Sequence, residues 1–181
     1  MTSFVALLRC INVSGKNSIR MSELQGSLSA LGFSNVVTYL QSGNIIFCTK
    51  KSDKSSLAVS IKDRIMQDFG HDVSVLVMSA VELEVIAGSN PLWPKTGGVE
   101  NLYHCTFLFN LVSPPDFHAL KLPVAVGEHA VLVGNTVLLH CPYGYGKTKL
   151  NNNFFEKALG VTATTRNWRT VLALHELCIS H

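Results

Sequence analysis

Near the C-terminal end, the stretch HCPYGYGKTKLNNNFF from His140 to Phe155 follows a run of β-branched and leucine residues and leads into a helix-like pattern. Its Gly146, Lys147 and Thr148 match the close of a phosphate-binding P-loop, in which glycine, four residues and Gly-Lys-Ser/Thr wrap backbone amides around phosphate oxygens. The match fails at its start. Cys141 occupies the first glycine position, and Pro142 removes an amide that a phosphate would use. No hydrophobic strand ends in an aspartate suited to magnesium, and the preceding strand reads as half of a hairpin, whereas a P-loop follows a buried parallel strand. The stretch is read as a glycine-rich turn and not as a nucleotide-hydrolysing loop. Lys147 and Lys149 then flank a helix N-terminus, where free amides and the dipole favour an anion.

Two further polar segments follow hydrophobic strands. In RCINVSGKNSIRM, Arg9, Asn12, Lys16, Asn17 and Arg20 surround Gly15; in TTRNWRTV, Arg166, Asn167, Trp168 and Arg169 are placed at the start of the last helix. Arginine forks, asparagine amides and an aromatic ring are what a ligand carrying phosphate and base requires. Asn44, beside the turn residues Ser42 and Gly43, adds a further amide. Each feature also has a plain structural reading. Asn12 and Asn17 shape a long turn, Asn167 caps a helix, and Trp168 belongs to a core stripe continued by Val171, Leu172 and His175.

Other chemistries find less support. No GxSxG elbow or HExxH helix occurs, and Ser42 sits in a hairpin turn without a local base. His104 with Cys105 and His140 with Cys141 come near one another if the first and third strands of that half are neighbours. Adjacent strand residues face opposite sides, however, so each face obtains at most one His and one Cys, too few for a metal. No metal and no cofactor is expected.

The elements that position these residues follow from periodicity. SFVALLRCI reads as a strand, Met21, Leu24, Leu28 and Leu31 as a helix, and NVVTYLQ and NIIFCTK as two strands. Leu57, Ile61, Ile65 and Phe69 mark a second helix stopped by Gly70, and DVSVLVMS a fourth strand. A linking helix opens with the capping pair Ser79 and Glu82, and SNPLWPKTGG connects it to a second round. There LYHCTFLFNL is a strand, SPPDFHALK a short helix with Pro114 early in it, and HAVLVGNTVLLHC two strands turning at Gly134 and Asn135. LNNNFFEKALG is a helix ending at Gly160, VTAT a last strand and RNWRTVLALHELC a terminal helix. The expectation is an α+β fold of two tandem ferredoxin-like βαββαβ halves. Residues 1–79 form the first, 80–100 the linking helix and loop, and 101–181 the second with the C-terminal helix. Apolar residues on both faces of FVALLRCI and VSVLVM predict that the halves pack closely.

Composition bounds the rest. The 181 residues are 47% hydrophobic and 15% charged, which describes a well-stocked core and excludes a disordered tail. The apolar runs are far shorter than the roughly 20 residues of a membrane-spanning helix, and MTSFVALLRC lacks the basic leader of a signal peptide; a cytoplasmic, membrane-free protein is expected. Five cysteines, odd in number and never in a CxxC pair, argue for reduced thiols. A formal charge of +3 means that any polyanion must meet a local patch.

ALLRCINVSGKN, VTYLQSGNIIF and TKLNNNFFEKALGVTATTRNWRTVLAL resemble the signature stretches of a bacterial family, domain of unknown function 1697, whose members typically open with ALLRGINVGGKN. Cys10 and Ser14 stand where that family usually has glycine. The resemblance implies two ferredoxin-like halves and a cytosolic bacterial origin, and it implies no activity.

Three function classes remain. The favoured one is a binding module for a phosphate-bearing ligand, nucleotide or nucleic acid. It would be held by Arg9, Lys16, Arg20, Lys147, Arg166 and Arg169, with Trp168 stacking and Asn12, Asn44 and Asn167 supplying hydrogen bonds. The alternatives are an enzyme acting on a small anionic metabolite, for which no nucleophile or paired carboxylates are found, and a structural or interaction protein, such as a homodimer.

Overall fold

A computed structural model describes residues 1–13, 15, 17–111, 113 and 115–180, with His118 by its backbone alone. The chain forms two compact units, Met1–Val85 with Ala173–His181, and Ile86–Leu172.

The first unit runs β1 (Thr2–Leu8), α1 (Met21–Ser29), β2 (Ser34–Tyr39), β3 (Asn44–Thr49), α2 (Lys54–Phe69) and β4 (Val75–Ser79). Its strands lie in the order β2-β3-β1-β4, all neighbours antiparallel. The twofold period of β1 explains the core: Phe4, Ala6 and Leu8 share one face and pack with Leu24 and Leu28 of α1 and Leu57, Ile61 and Ile65 of α2. Val5 and Leu7, on the opposite face, are buried as well. Asp53 caps α2 by accepting from the amides of Ser55 and Ser56.

The helix α3 (Ala80–Gly88) starts at the expected capping box. Ser79 Oγ accepts from the Glu82 amide at 3.2 Å, while the Glu82 carboxylate accepts from the Ser79 amide at 2.8 Å.

The second unit contains β5 (Tyr103–Leu108), β6 (His129–Val133), β7 (Thr136–His140), α4 (Asn152–Leu159) and β8 (Ala163–Asn167), ordered β6-β7-β5-β8 and again antiparallel throughout. Leu108, Val137, Leu139 and Ala163 from the sheet enclose Phe155 of α4, with Cys141 and Leu150 completing the cluster. Asn151 caps α4 through the Phe154 amide at 3.1 Å, and Gly160 ends it in the left-handed conformation at φ 66. The helix α5 (Trp168–Ser180) completes the chain, and the boundary between the units falls within it. The molecule is thus of mixed α+β class, with two four-stranded antiparallel sheets. Among the described residues no helix is long and apolar enough to cross a membrane.

Two expectations are corrected. SPPDFHALK is not an α-helix: among its described residues only Phe117–Ala119 turn, as a 3-10 segment. Here Asp116 accepts from the Ala119 amide through both its carbonyl and its carboxylate, which completes one turn, and a single turn is a poor nucleus for a longer helix. Pro114 lies outside the described residues. The last strand extends past VTAT to Asn167, so Arg166 and Asn167 belong to β8 and the helix starts only at Trp168. β-Branched Thr164 and Thr165, together with pairing along β5, carry the extended conformation that far.

Candidate functional site

The candidate residues divide between the units. In the first, the loop after β1 is built on its asparagines. Asn12, at φ 53, donates from its amide to the carbonyls of Ile19 (3.0 Å) and Gln41 (2.9 Å) and accepts from the Ile19 amide at 2.8 Å. Asn17, at φ 48, donates to the Cys10 carbonyl at 2.9 Å. Asn44 is fully buried and donates to the Tyr39 carbonyl and to Ser42 Oγ. The short amide side chain tolerates the left-handed region and satisfies nearby backbone groups, so these three asparagines hold the loop and the hairpin turn together.

Gly43 sits where those pieces meet. At φ 75, a β-carbon there would lie 2.7 Å from Leu8 Cβ and 2.8 Å from Ile11 Cδ1, so only glycine admits this approach. Arg9 is half-buried, with its guanidinium on the Cys10 sulfur. Arg20 is 83% exposed and paired with Glu23 at 3.2 Å. Lys16 lies outside the described residues.

The second unit joins two of the stretches singled out from the sequence. Tyr145, in the 3-10 turn Tyr145–Lys147, stacks on His104 with ring centroids 4.7 Å apart. Its hydroxyl donates to Thr165 Oγ1 at 3.0 Å, and Thr165 donates to Asn152 Oδ1 at 2.7 Å. The single Thr165 hydroxyl proton is used there, so Thr106, 2.7 Å away, must donate to Thr165 in turn. The Asn167 amide meets His104 Nε2 at 3.4 Å. A donating Asn167 places the imidazole proton on Nδ1, a buried nitrogen with no hydrogen-bond partner among the described residues. Burial lowers the His104 pKa to about 4, with only a weaker opposing effect from the Leu102 backbone, so the ring is neutral at pH 7.

Around this network the cations differ in character. Lys147, Lys149 and Arg169 are exposed, and among the described residues none of them is in an ion pair. Arg166 is 6% exposed and donates to Thr164 Oγ1 (2.8 Å) and the Thr165 carbonyl (2.9 Å); burial lowers its pKa to about 10, still charged. Trp168 is 1% exposed and lies against Trp93 with centroids 6.2 Å apart, so its ring is a packing element and presents no face for stacking a ligand. Asn167 caps the start of α5 by accepting from the Arg169 amide at 3.0 Å.

The stretch GYGKTK forms a turn between a hairpin strand and a helix, with Lys147 five residues before that helix begins. β7 is antiparallel to both neighbours, Lys147 sits in a 3-10 turn, and α4 starts only at Asn152. The two His-Cys pairs do not converge. On the β5-β7 ladder His104 stands opposite Leu139 while His140 stands opposite Tyr103, which puts the two imidazoles on opposite faces. Among the described residues no group of three His, Cys, Asp or Glu could hold a metal.

Sequence reasoning missed Tyr145, Asn152 and Thr165 as members of the network. Asn151 and Asn152 at a helix start were the available signal, since a doubled asparagine leaves one amide for the cap and one for another partner.

No curated protein matches the chain. Among solved structures, "The structure of conserved bacterial protein SP0830 from Streptococcus pneumoniae" is similar over 98% of each chain, with a TM-score of 0.74 at 23% identity. At that identity the likeness is one of fold. Residues 1–138 match the family described as protein of unknown function (DUF1697), a match that stops before the turn at Tyr145 and the β8–α5 junction. By that match over most of its length, the chain belongs to DUF1697.

Proposed function

We propose that each unit is a ferredoxin-like module, and that the second binds a phosphate-bearing ligand, nucleotide or nucleic acid, without hydrolysing it. The strand orders β2-β3-β1-β4 and β6-β7-β5-β8 support the first statement, since each sets the third strand between the first and second as in a βαββαβ unit, with a 3-10 turn standing in the second unit where the first helix would be.

The observation that carries the binding reading is the tie between the turn bearing Lys147 and the helix start bearing Arg169, made through the stacked and hydrogen-bonded His104. Cations free of carboxylate partners can neutralise phosphate without first breaking an ion pair. The neutral imidazole adds no catalytic charge, and the positive end of the α5 dipole lies nearby.

Charge distribution supports the same unit. Of 15 lysines and arginines and 12 carboxylates, the second unit holds seven (Lys95, Lys121, Lys147, Lys149, Lys157, Arg166, Arg169) and four (Glu100, Asp116, Glu128, Glu156), and the first holds eight of each. The formal +3 of the chain therefore belongs to the second unit. Two of its carboxylates are engaged internally, Glu128 by the Ala125 amide and Glu156 by the Ala163 amide.

The test is fluorescence anisotropy of labelled RNA, labelled DNA and a labelled nucleotide titrated with the protein at low and moderate salt. Binding that weakens with salt, and falls at least tenfold in the folded triple variant Lys147→Ala/Lys149→Ala/Arg169→Ala, is the expected result. Absence of binding at protein concentrations of about 100 μM, where nonspecific nucleic-acid binders register, overturns the reading.

A further inference from the structure

The hairpin β6–β7 turns at Gly134 and Asn135, and its register runs from Val133 opposite Thr136 back to His129 opposite His140. Directly opposed strand residues leave the same face of a sheet with Cβ atoms about 4.5–5.5 Å apart. The two imidazole centroids are 6.1 Å apart and their planes lie within 11° of parallel. His140 is supported on its other side by Tyr103, which stands opposite it on β5 with a centroid separation of 4.7 Å. Tyr103 is in turn held edge-on by Trp93 at 5.0 Å. One ring is thus fixed by a buried stack, while His129 is exposed.

We propose that His129 and His140 form a two-imidazole site for a divalent transition ion of the Ni2+, Cu2+ or Zn2+ class. Neutral imidazole is a preferred ligand of these ions. Two rings sharing one ion at roughly 2.0–2.1 Å per bond have centroids about 4.5–5.5 Å apart in cis or tetrahedral geometry and cannot stay parallel, so the exposed His129 must swing closer and turn its ring plane out of the stack while His140 keeps its contact with Tyr103.

The flanking residues decide the class of ion. Glu128 is 6% exposed and its carboxylate is held by the Ala125 amide, and Cys141 is fully buried. Glu128 immediately precedes β6 and Cys141 immediately follows β7, and both are buried whereas His129 is exposed. Mg2+ or Ca2+, which require oxygen ligands, therefore gain nothing from these neighbours. With no third protein ligand among the described residues, water completes the coordination, so the site is open and weaker than a closed structural zinc site.

The experiment is calorimetric titration of the whole chain with Ni2+ at pH 7.5, with proton NMR of the histidine rings. One equivalent is expected to bind, with paramagnetic broadening confined to His129 and His140. The affinity should fall at least tenfold in His129→Ala, whose exposed position keeps the fold intact, and likewise in His140→Gln. Binding should also raise the melting temperature of the wild type but not of His129→Ala. Ni2+ binding that is unchanged in both variants belongs to other groups, such as the exposed Cys10, and overturns the proposal. So does the absence of ring broadening at millimolar Ni2+.

Discussion

At the level of single residues, Cys10 shows how a family position and a backbone angle bear on each other. It has φ 56, in the left-handed region, at a place where the resembling family carries glycine. A side chain there costs about 1–2 kcal/mol, and glycine's extra freedom in the unfolded chain takes back roughly 0.5–1. Cys10→Gly is therefore expected to stabilise the protein by about 0.5–1 kcal/mol, read as a higher urea midpoint with an unchanged m-value; a lower midpoint would mean that the contact with Arg9 outweighs the strain. His104 supplies the pH dependence. Its folded pKa of about 4 is below the ordinary histidine value, so between roughly pH 6.5 and 4 the unfolded chain takes up a proton that the folded chain does not. Stability from this group is complete above the window and is lost as pH falls through it. The loss amounts to roughly 1–3 kcal/mol for a shift of this size in a buried ring. Denaturation midpoints of wild type and His104→Gln should converge as pH drops from 7 to 4. Parallel curves would assign the acid sensitivity to other groups.

At the scale of elements, the helix ends are the best test of local reading, because their signals are short-range. Asn151 supplies the side-chain cap of α4, an eight-residue helix that holds Phe155 in the core and Asn152 in the hydroxyl network. Asn151→Ala is expected to cost about 1 kcal/mol and to speed hydrogen exchange of the Phe154 amide, with α2 and its Asp53 cap unaffected; uniform acceleration across both units would contradict a local role. Such ends were legible in the sequence: the Ser79–Glu82 box, the stop at Gly160 and the apolar repeat of α2 all lie within a few residues of what they govern. The segment at 113–121 was not, since its helical composition competes with a cost of nucleation that composition does not display. The start of α5 was legible in part: Asn167 reads as a cap and is one, but its second role as the last strand residue has no local signal. The register of β6–β7 was legible and unused. Counting outward from Gly134–Asn135 pairs position 133 with 136 and so on to His129 with His140.

For the whole molecule, what the sequence did not reveal is chiefly which charges are spoken for. Arg166 and Arg20 look alike as letters, yet one is buried on its own strand's threonines and the other is an exposed partner of Glu23. Strand alternation carried part of this answer, since Arg166 shares a ladder position with Cys105. The stack of Tyr145 on His104 joins positions far apart in the chain and had no local signal. These differences make a quantitative statement about the binding reading. The second unit carries the formal charge excess and Lys147, Lys149 and Arg169, which are in no ion pair among the described residues, whereas the first is balanced. Each phosphate neutralised on a single strand contributes roughly −0.7 to the slope of log K against log salt. Lys147→Ala or Arg169→Ala should each make the slope for single-stranded RNA shallower by about 0.7, with affinity lowered across all sequences. Arg20→Ala, which removes a cation already neutralised by Glu23, should leave the slope unchanged. If Arg20→Ala flattens the slope as much as Lys147→Ala does, the phosphates lie on the first unit's loop, and the assignment to the second unit fails.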